Sequence, residues 1–130
     1  MSQERLFKFQ SALGALGRVI DLAKQRPLSE AEQGGLIQFF ELSWDVGWKV
    51  LRDALVNQGV LLEVVAPLPV IRAAFSANII NDGDGWVLAT KARNMLSHMY
   101  DEELVQREIQ KIIEHYYPMM IKTLKDLSAP

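Results

Sequence analysis

Ile37-Gln38-Phe39-Phe40-Glu41-Leu42-Ser43-Trp44-Asp45-Val46-Gly47-Trp48-Lys49-Val50-Leu51-Arg52-Asp53-Ala54 is the stretch that decides the fold class. Within it Ile37, Phe40, Trp44, Gly47, Leu51 and Ala54 recur every three or four residues, which places them along one side of an α-helix. A half-buried strand would alternate at every second residue, and this run does not. A second apolar row, Leu36, Phe39, Val46 and Val50, widens the stripe, so the helix is expected to meet two neighbours or a partner chain. Upstream, Ser29 with Glu32 three residues later has the form of a capping box, each side chain satisfying a free amide of the first turn. Downstream, Gly59 is a helix-terminating residue. The helix is therefore expected to run from about Glu30 to Asn57. Gly34-Gly35 weakens its first turns by about 1 kcal/mol per glycine relative to alanine and marks a bend or a late start.

Working outward from that helix, Leu6, Phe9, Leu13, Leu16, Ile20 and Ala23 form a narrow stripe on a first helix between Arg5 and Lys24. Gln25-Arg26-Pro27 interrupts it, because proline disfavours helix at the preceding residue and lacks an amide donor. On the other side, Val60 to Pro69 is apolar and punctuated by proline. A lone strand there has no edge to pair with, so an extended connection packed over the bundle end is expected. Pro69 suits the first turn of a short helix from Val70 to Ile80. Asn81-Asp82-Gly83-Asp84-Gly85 reads as a turn with Asp84 as the next N-cap. The following helix carries Trp86, Ala89, Ala92, Leu96 and Met99 inward. Tyr100-Asp101-Glu102-Glu103 marks a joint with Asp101 as a cap. The last helix uses Val105, Ile109, Ile112, Tyr116, Met120, Leu124 and Leu127, with a kink at Pro118. Together these segments predict an all-α, up-and-down antiparallel bundle of four long helices and a short one, in a single domain over residues 1–130.

Composition narrows the function. The chain has 14 Lys+Arg against 16 Asp+Glu, so no general basic field advertises a non-specific nucleic-acid binder, and any RNA contact must be local. There is no cysteine, which excludes disulfides and thiolate metal sites. The N-terminal segment is amphipathic rather than continuously apolar, so neither a signal peptide nor a membrane span is expected, and the protein reads as soluble and cytoplasmic. The acidic turn fails as a calcium loop. Val87 stands where the loop requires glycine, and Arg93 where it requires a bidentate glutamate.

Chemistry concentrates in Arg93-Asn94-Met95-Leu96-Ser97-His98-Met99-Tyr100. His98 can exchange protons near neutrality, and Arg93 offers a permanently charged fork suited to phosphate, a pairing that points to phosphodiester chemistry. On a helix Arg93 and Tyr100 share a face, whereas Arg93 and His98 lie roughly 140° apart around the axis. Either the helix ends near Ser97 and releases His98, or a second subunit completes the site across a two-fold axis. The second arrangement also accounts for the broad apolar surface of the Glu30–Asn57 helix. Asn94, four residues before His98, is placed to orient its ring.

Arg93-Asn94-x-x-x-His98 resembles the motif of the HEPN superfamily of helical ribonucleases. The longer pattern Arg93-x4-His98-x-Tyr100 is similar to that of HepT-type toxins, the nucleotidyltransferase substrate-binding proteins. The likeness extends to the aromatic-rich segment from Phe39 to Lys49, to Val70-Ile71-Arg72-x-Ala74-Phe75, and to the acidic turn before Trp86. The resemblance implies a homodimeric ribonuclease needing no metal or other cofactor. Arg93 would bind the scissile phosphate, His98 would act as general acid or base, and Asn94 would support them. Tyr100 would be the hydroxyl to which a cognate minimal nucleotidyltransferase, the antitoxin, adds AMP, blocking the RNA site. The alternative is a non-catalytic substrate-binding subunit of that transferase. Ala66-Pro67-Leu68 departs from the more polar loop expected in relatives.

Three further features have plain readings. Trp44, Trp48 and Trp86 sit at helical spacing and belong to the core, with Trp48, beside Lys49, the exception in waiting. The cations at positions 49, 52, 72, 91 and 93 could gather around one RNA groove. His115 reads as a surface residue rather than a second base.

Overall fold

A computed structural model describes residues 2–98 and 100–129. Six α-helices follow in order: α1 (Gln3–Gln25), α2 (Glu30–Asn57), α3 (Pro67–Ser76), α4 (Gly83–Leu96), α5 (Glu102–Lys111) and α6 (Tyr117–Ser128), with a π-helical turn at Ile112–Tyr116 between the last two. No strand occurs among the described residues, in line with the all-α bundle expected from the periodicities.

The central helix begins and ends where its sequence places it. The Ser29 hydroxyl accepts from the Glu32 amide at 3.1 Å, and the Glu32 carboxylate accepts from the Ser29 amide at 2.8 Å. Arg26 adds a bidentate pair to Glu32, at 2.8 and 2.7 Å, and this partner, with the Ser29 amide, pulls the Glu32 carboxyl down to about 2. Ser29→Ala is expected to cost about 1 kcal/mol of stability, read by urea denaturation. Glu32, with its folded-state pKa lowered, stabilises the fold above its unfolded value, and this contribution fades as pH falls toward about 2. Glu32→Gln should therefore flatten the acid limb of the stability profile. At the far end Gly59 takes φ +79°, a left-handed conformation that glycine adopts without penalty.

Gly34-Gly35 introduces no break, since α2 is continuous from Glu30. The expected helix from Val70 is corrected: α3 starts three residues earlier, with Pro67 in its first turn, and stops at Ser76. Both prolines at its start fit because the first-turn amides have no intrahelical acceptor to lose. The Asp84 cap is also corrected. Asp82 holds the N-terminus of α4, its carboxylate accepting from the Gly85 amide at 2.9 Å. Asp101 caps α5 as expected, bonding the Glu103 and Leu104 amides.

The kink foreseen at Pro118 takes a specific form. Tyr117 donates its amide to the Ile112 carbonyl, one residue further back than in an α-helix, so the backbone widens into a π turn just ahead of the proline. Such an insertion accommodates the missing amide and the bulk of the pyrrolidine ring.

The core gathers Phe9, Leu13, Leu16 and Ile20 of α1, Leu36, Phe40, Trp44 and Leu51 of α2, Val70 and Ile71 of α3, Trp86 and Ala89 of α4, and Ile112 and Met120 beyond. Gly47 lets side chains of α1 and α4 approach α2 closely. A Cβ there would lie 2.9 Å from the Trp86 ring and 3.0 Å from that of Phe9. The second apolar row of α2 is largely absorbed by this core: Leu36 and Val50 are buried, and Phe39 and Val46 are half-buried. Phe39 and Val46 still border an open apolar groove between α1 and α2, together with exposed Phe7 and Leu42. No helix among the described residues is long and apolar enough to cross a membrane.

Candidate active site

The α4 helix positions the motif. Trp86, Thr90 and Arg93 recur at the spacing of one helical face and turn toward α2, while Met95, Ser97 and His98 are exposed. Arg93 is half-buried, with its guanidinium 5.4 Å from the centre of the Trp44 ring. Its Nε is covered and has no hydrogen-bond partner. Among the described residues, no hydrogen bond or ion pair engages its terminal nitrogens, so they remain available to an anion.

The helix ends at Leu96. Ser97 closes it, donating its hydroxyl to the Asn94 carbonyl at 3.1 Å, and the His98 amide reaches the Met95 carbonyl at 3.0 Å. His98 thus leaves the helical spiral and is exposed. Of the two arrangements open at the sequence level, release of His98 at a helix end is the one found within a single chain. Met99, expected on the inward stripe, lies outside the described residues. Tyr100 follows, 94% exposed, and Asp101 begins α5.

His98, Tyr100, Asn94, Met95, Asp101 and Leu104 line one shallow cleft of about 540 Å³. The structure therefore brings His98, Asn94 and Tyr100 to one surface, and sets Arg93 apart, facing Trp44. No hydrogen bond joins the Asn94 side chain to His98 among the described residues. An exposed imidazole and an exposed phenol lining one open cleft form an arrangement in which protons can be exchanged with a ligand from solvent.

Of the remaining cations, Lys49 and Arg52 lie together and Arg72 lies elsewhere. Lys49 and Arg52 flank Trp48 at 5.9 and 5.7 Å, Lys49 pairs with Asp45 at 3.2 Å, and Arg72 lines a separate cleft beside Asp82 and Asp84. Trp48 is buried nevertheless. His115 is exposed and bonds Asp82 through Nε2 at 3.0 Å, tying the π turn to the start of α4. Burial works to raise the Asp82 carboxyl, but the bonds from His115 and the Gly85 amide prevail and hold it below its ordinary value. No cluster of three or more potential metal ligands exists among the described residues.

Sequence reasoning placed Trp44 in the core but missed its contact with Arg93, and missed Thr90 altogether. The signal was present: Thr90 and Arg93 lie four and seven residues beyond Trp86, on one helical face. It could not reveal which residue of α2 would stand opposite.

A family model described as nucleotidyltransferase substrate binding protein like matches residues 4–129. Among solved structures, a Thermus thermophilus protein superposes with a TM-score of 0.82 at 25% identity, covering 93% of this chain and 99% of its own. Comparison with curated proteins finds no match.

Proposed function

The chain belongs to the nucleotidyltransferase substrate binding protein-like family, and from that membership we propose that it is a toxin ribonuclease which a small cognate nucleotidyltransferase silences by adding AMP to Tyr100. The observation that carries this reading is the shared cleft: His98 and the almost fully exposed Tyr100 line the same depression. A nucleotide attached to that phenol would fill the space in front of the imidazole. It would also add negative charge where an RNA phosphate must approach.

The active unit is a homodimer. Arg93 and His98 face different ways within one chain, so a second copy supplies the missing partner across a two-fold axis. Leu88, Met95 and Leu104, all exposed on α4 and at the start of α5, provide the apolar seam for that contact. Asn94, exposed at the cleft rim, contacts the substrate or the second copy.

In this dimer a neutral His98 accepts the proton of a ribose 2′-hydroxyl. The freed oxygen attacks the adjacent phosphorus, forming the P–O2′ bond while the P–O5′ bond breaks. The protonated His98 of the second copy delivers its proton to the leaving 5′-oxygen, giving a 2′,3′-cyclic phosphate and a 5′-hydroxyl. Arg93 stabilises the charge that builds on the phosphoryl oxygens. No step calls on a metal ion.

The second reading, a non-catalytic substrate subunit of the transferase, draws on the family description, which names substrate binding and not cleavage. Incubation with the transferase and α-labelled ATP tests the shared part of both readings. The wild type is expected to take up label and lose cleavage, whereas Tyr100→Phe takes up none and goes on cleaving RNA. Label retained by Tyr100→Phe would remove Tyr100 from the account.

A further inference from the structure

Arg93 has an unusual setting for a phosphate-binding group. It is half-buried, its Nε is sealed from solvent without an acceptor, and no carboxylate among the described residues neutralises it. Leaving a buried donor unmatched costs free energy, about 1–3 kcal/mol in typical cases, so the geometry needs another source of support. Trp44 provides it. The guanidinium stands 5.4 Å from the indole centre, within range for attraction to the electron-rich ring face.

The ring itself is locked. Trp44 is 4% exposed, and its indole Nε1 donates to the Thr90 hydroxyl at 3.0 Å. Thr90, 3% exposed, donates in turn to the Trp86 carbonyl at 2.9 Å. Thr90 lies one turn before Arg93 on α4, so the residue that fixes the ring and the residue that rests on it belong to one helical face. The chain of bonds runs from the α4 backbone to Thr90 and to Trp44 on α2, and the 5.4 Å contact of the Trp44 ring leads back to Arg93.

We infer that Trp44 and Thr90 are positioning residues for Arg93: they hold its guanidinium over the indole ring and present the terminal nitrogens to the scissile phosphate. The inference rests on the ribonuclease reading above and assigns to two core residues a role in that site. An unclamped arginine samples many rotamers, and a misplaced charge forfeits part of its stabilisation of the transition state. Trp44 also explains how an arginine without an acidic partner is kept in place: a carboxylate would compete with phosphate for the guanidinium, whereas a ring face leaves its edge free.

The test uses the full-length protein in three variants: Trp44→Leu removes the ring, Trp44→Phe keeps a ring face without the indole N–H, and Thr90→Val keeps the shape without the hydroxyl. The first readout is the Arg93 Nε–Hε resonance in 15N-resolved NMR, assigned by its loss in Arg93→Lys. It is expected to be ring-current shifted and slowly exchanging in the wild type, partly retained in Trp44→Phe, and moved to solvent-exposed values in Trp44→Leu. Thr90→Val should shift the Trp44 indole resonance and broaden that of Arg93. The second readout is RNA cleavage. Trp44→Leu should lower kcat by about 10- to 100-fold with KM little changed, Trp44→Phe should recover most of that loss, and Trp44→Leu should add nothing to an Arg93→Ala background.

An Arg93 resonance unmoved in Trp44→Leu, with the fold confirmed by circular dichroism, overturns the clamp whatever cleavage does. A moved resonance with wild-type kcat overturns its catalytic use. Absence of cleavage by the wild type, with the resonance moved as expected, defeats the ribonuclease reading and the positioning role together while leaving the stack itself established.

Discussion

Arg93→Ala and His98→Ala are each expected to lower RNA cleavage by about 10²–10⁴-fold, the range in which removal of a general acid or base or of a charge-stabilising donor falls. The two losses have different origins. His98 lies beyond the end of α4, exposed in the cleft with Tyr100, so its removal takes away proton transfer and disturbs no packing. Arg93 is half-buried against Trp44, so its removal also uncovers an indole face. Arg93→Lys is not expected to rescue, because an ammonium lacks the planar fork and rests less well on the ring. Parallel assays of the three variants at matched fold, judged by far-ultraviolet circular dichroism, separate these effects. Retention of cleavage in His98→Ala would exclude the proton-transfer role.

Trp86→Ala is expected to lower stability by about 3–5 kcal/mol, with a fall in Tm on the order of 10–20 °C. Trp86 is fully buried, its ring rests in the space left by Gly47, and its carbonyl accepts from the Thr90 hydroxyl. Truncation opens a cavity between α2 and α4 that neighbouring helices cannot close without moving, since Phe9 already crowds Gly47 from the other side. The carbonyl that Thr90 bonds survives the truncation, but the cavity loosens the packing of α4, which carries Thr90 and Arg93, so thermal unfolding and cleavage should both suffer. By contrast, His98→Ala should leave Tm within about 1 °C, because an exposed side chain past a helix end carries little stability.

The helices were legible because each has a strong local signal. The stripe of α2 and the Ser29–Glu32 box place its limits closely, and Asp101 announces α5. Where the reading failed, two local signals competed. Asn81-Asp82-Gly83-Asp84-Gly85 contains two acids able to cap, and the choice of Asp82 goes with a long-range partner, His115, 33 residues away. Pro67 and Pro69 both suit a first turn, and α3 uses the earlier one. The π turn before Pro118 was foreseen only as a kink, because sequence shows the loss of a backbone donor but not how the chain will accommodate it.

The candidate site was legible in its residue types and not in its geometry. The motif names Arg93, His98 and Tyr100, and the end of the helix at Leu96 separates their directions in a way the seven-residue spacing of Arg93 and Tyr100 does not foretell. The apolar surface assigned to a partner was placed on α2; packing takes up Leu36 and Val50, Phe39 and Val46 border an open groove with exposed Phe7 and Leu42, and Leu88 and Met95 are exposed on α4 as well. A periodicity shows that a face is apolar; which neighbour covers it is settled only when the whole bundle is assembled.

Cleavage of a panel of purified RNAs in the presence of EDTA, by the partner-free wild type beside His98→Ala, tests the central claim most directly. The account predicts fragments ending in 2′,3′-cyclic phosphate and 5′-hydroxyl from the wild type and none from His98→Ala, with both proteins folded. A panel left intact by the wild type, or cut equally by His98→Ala, would contradict it.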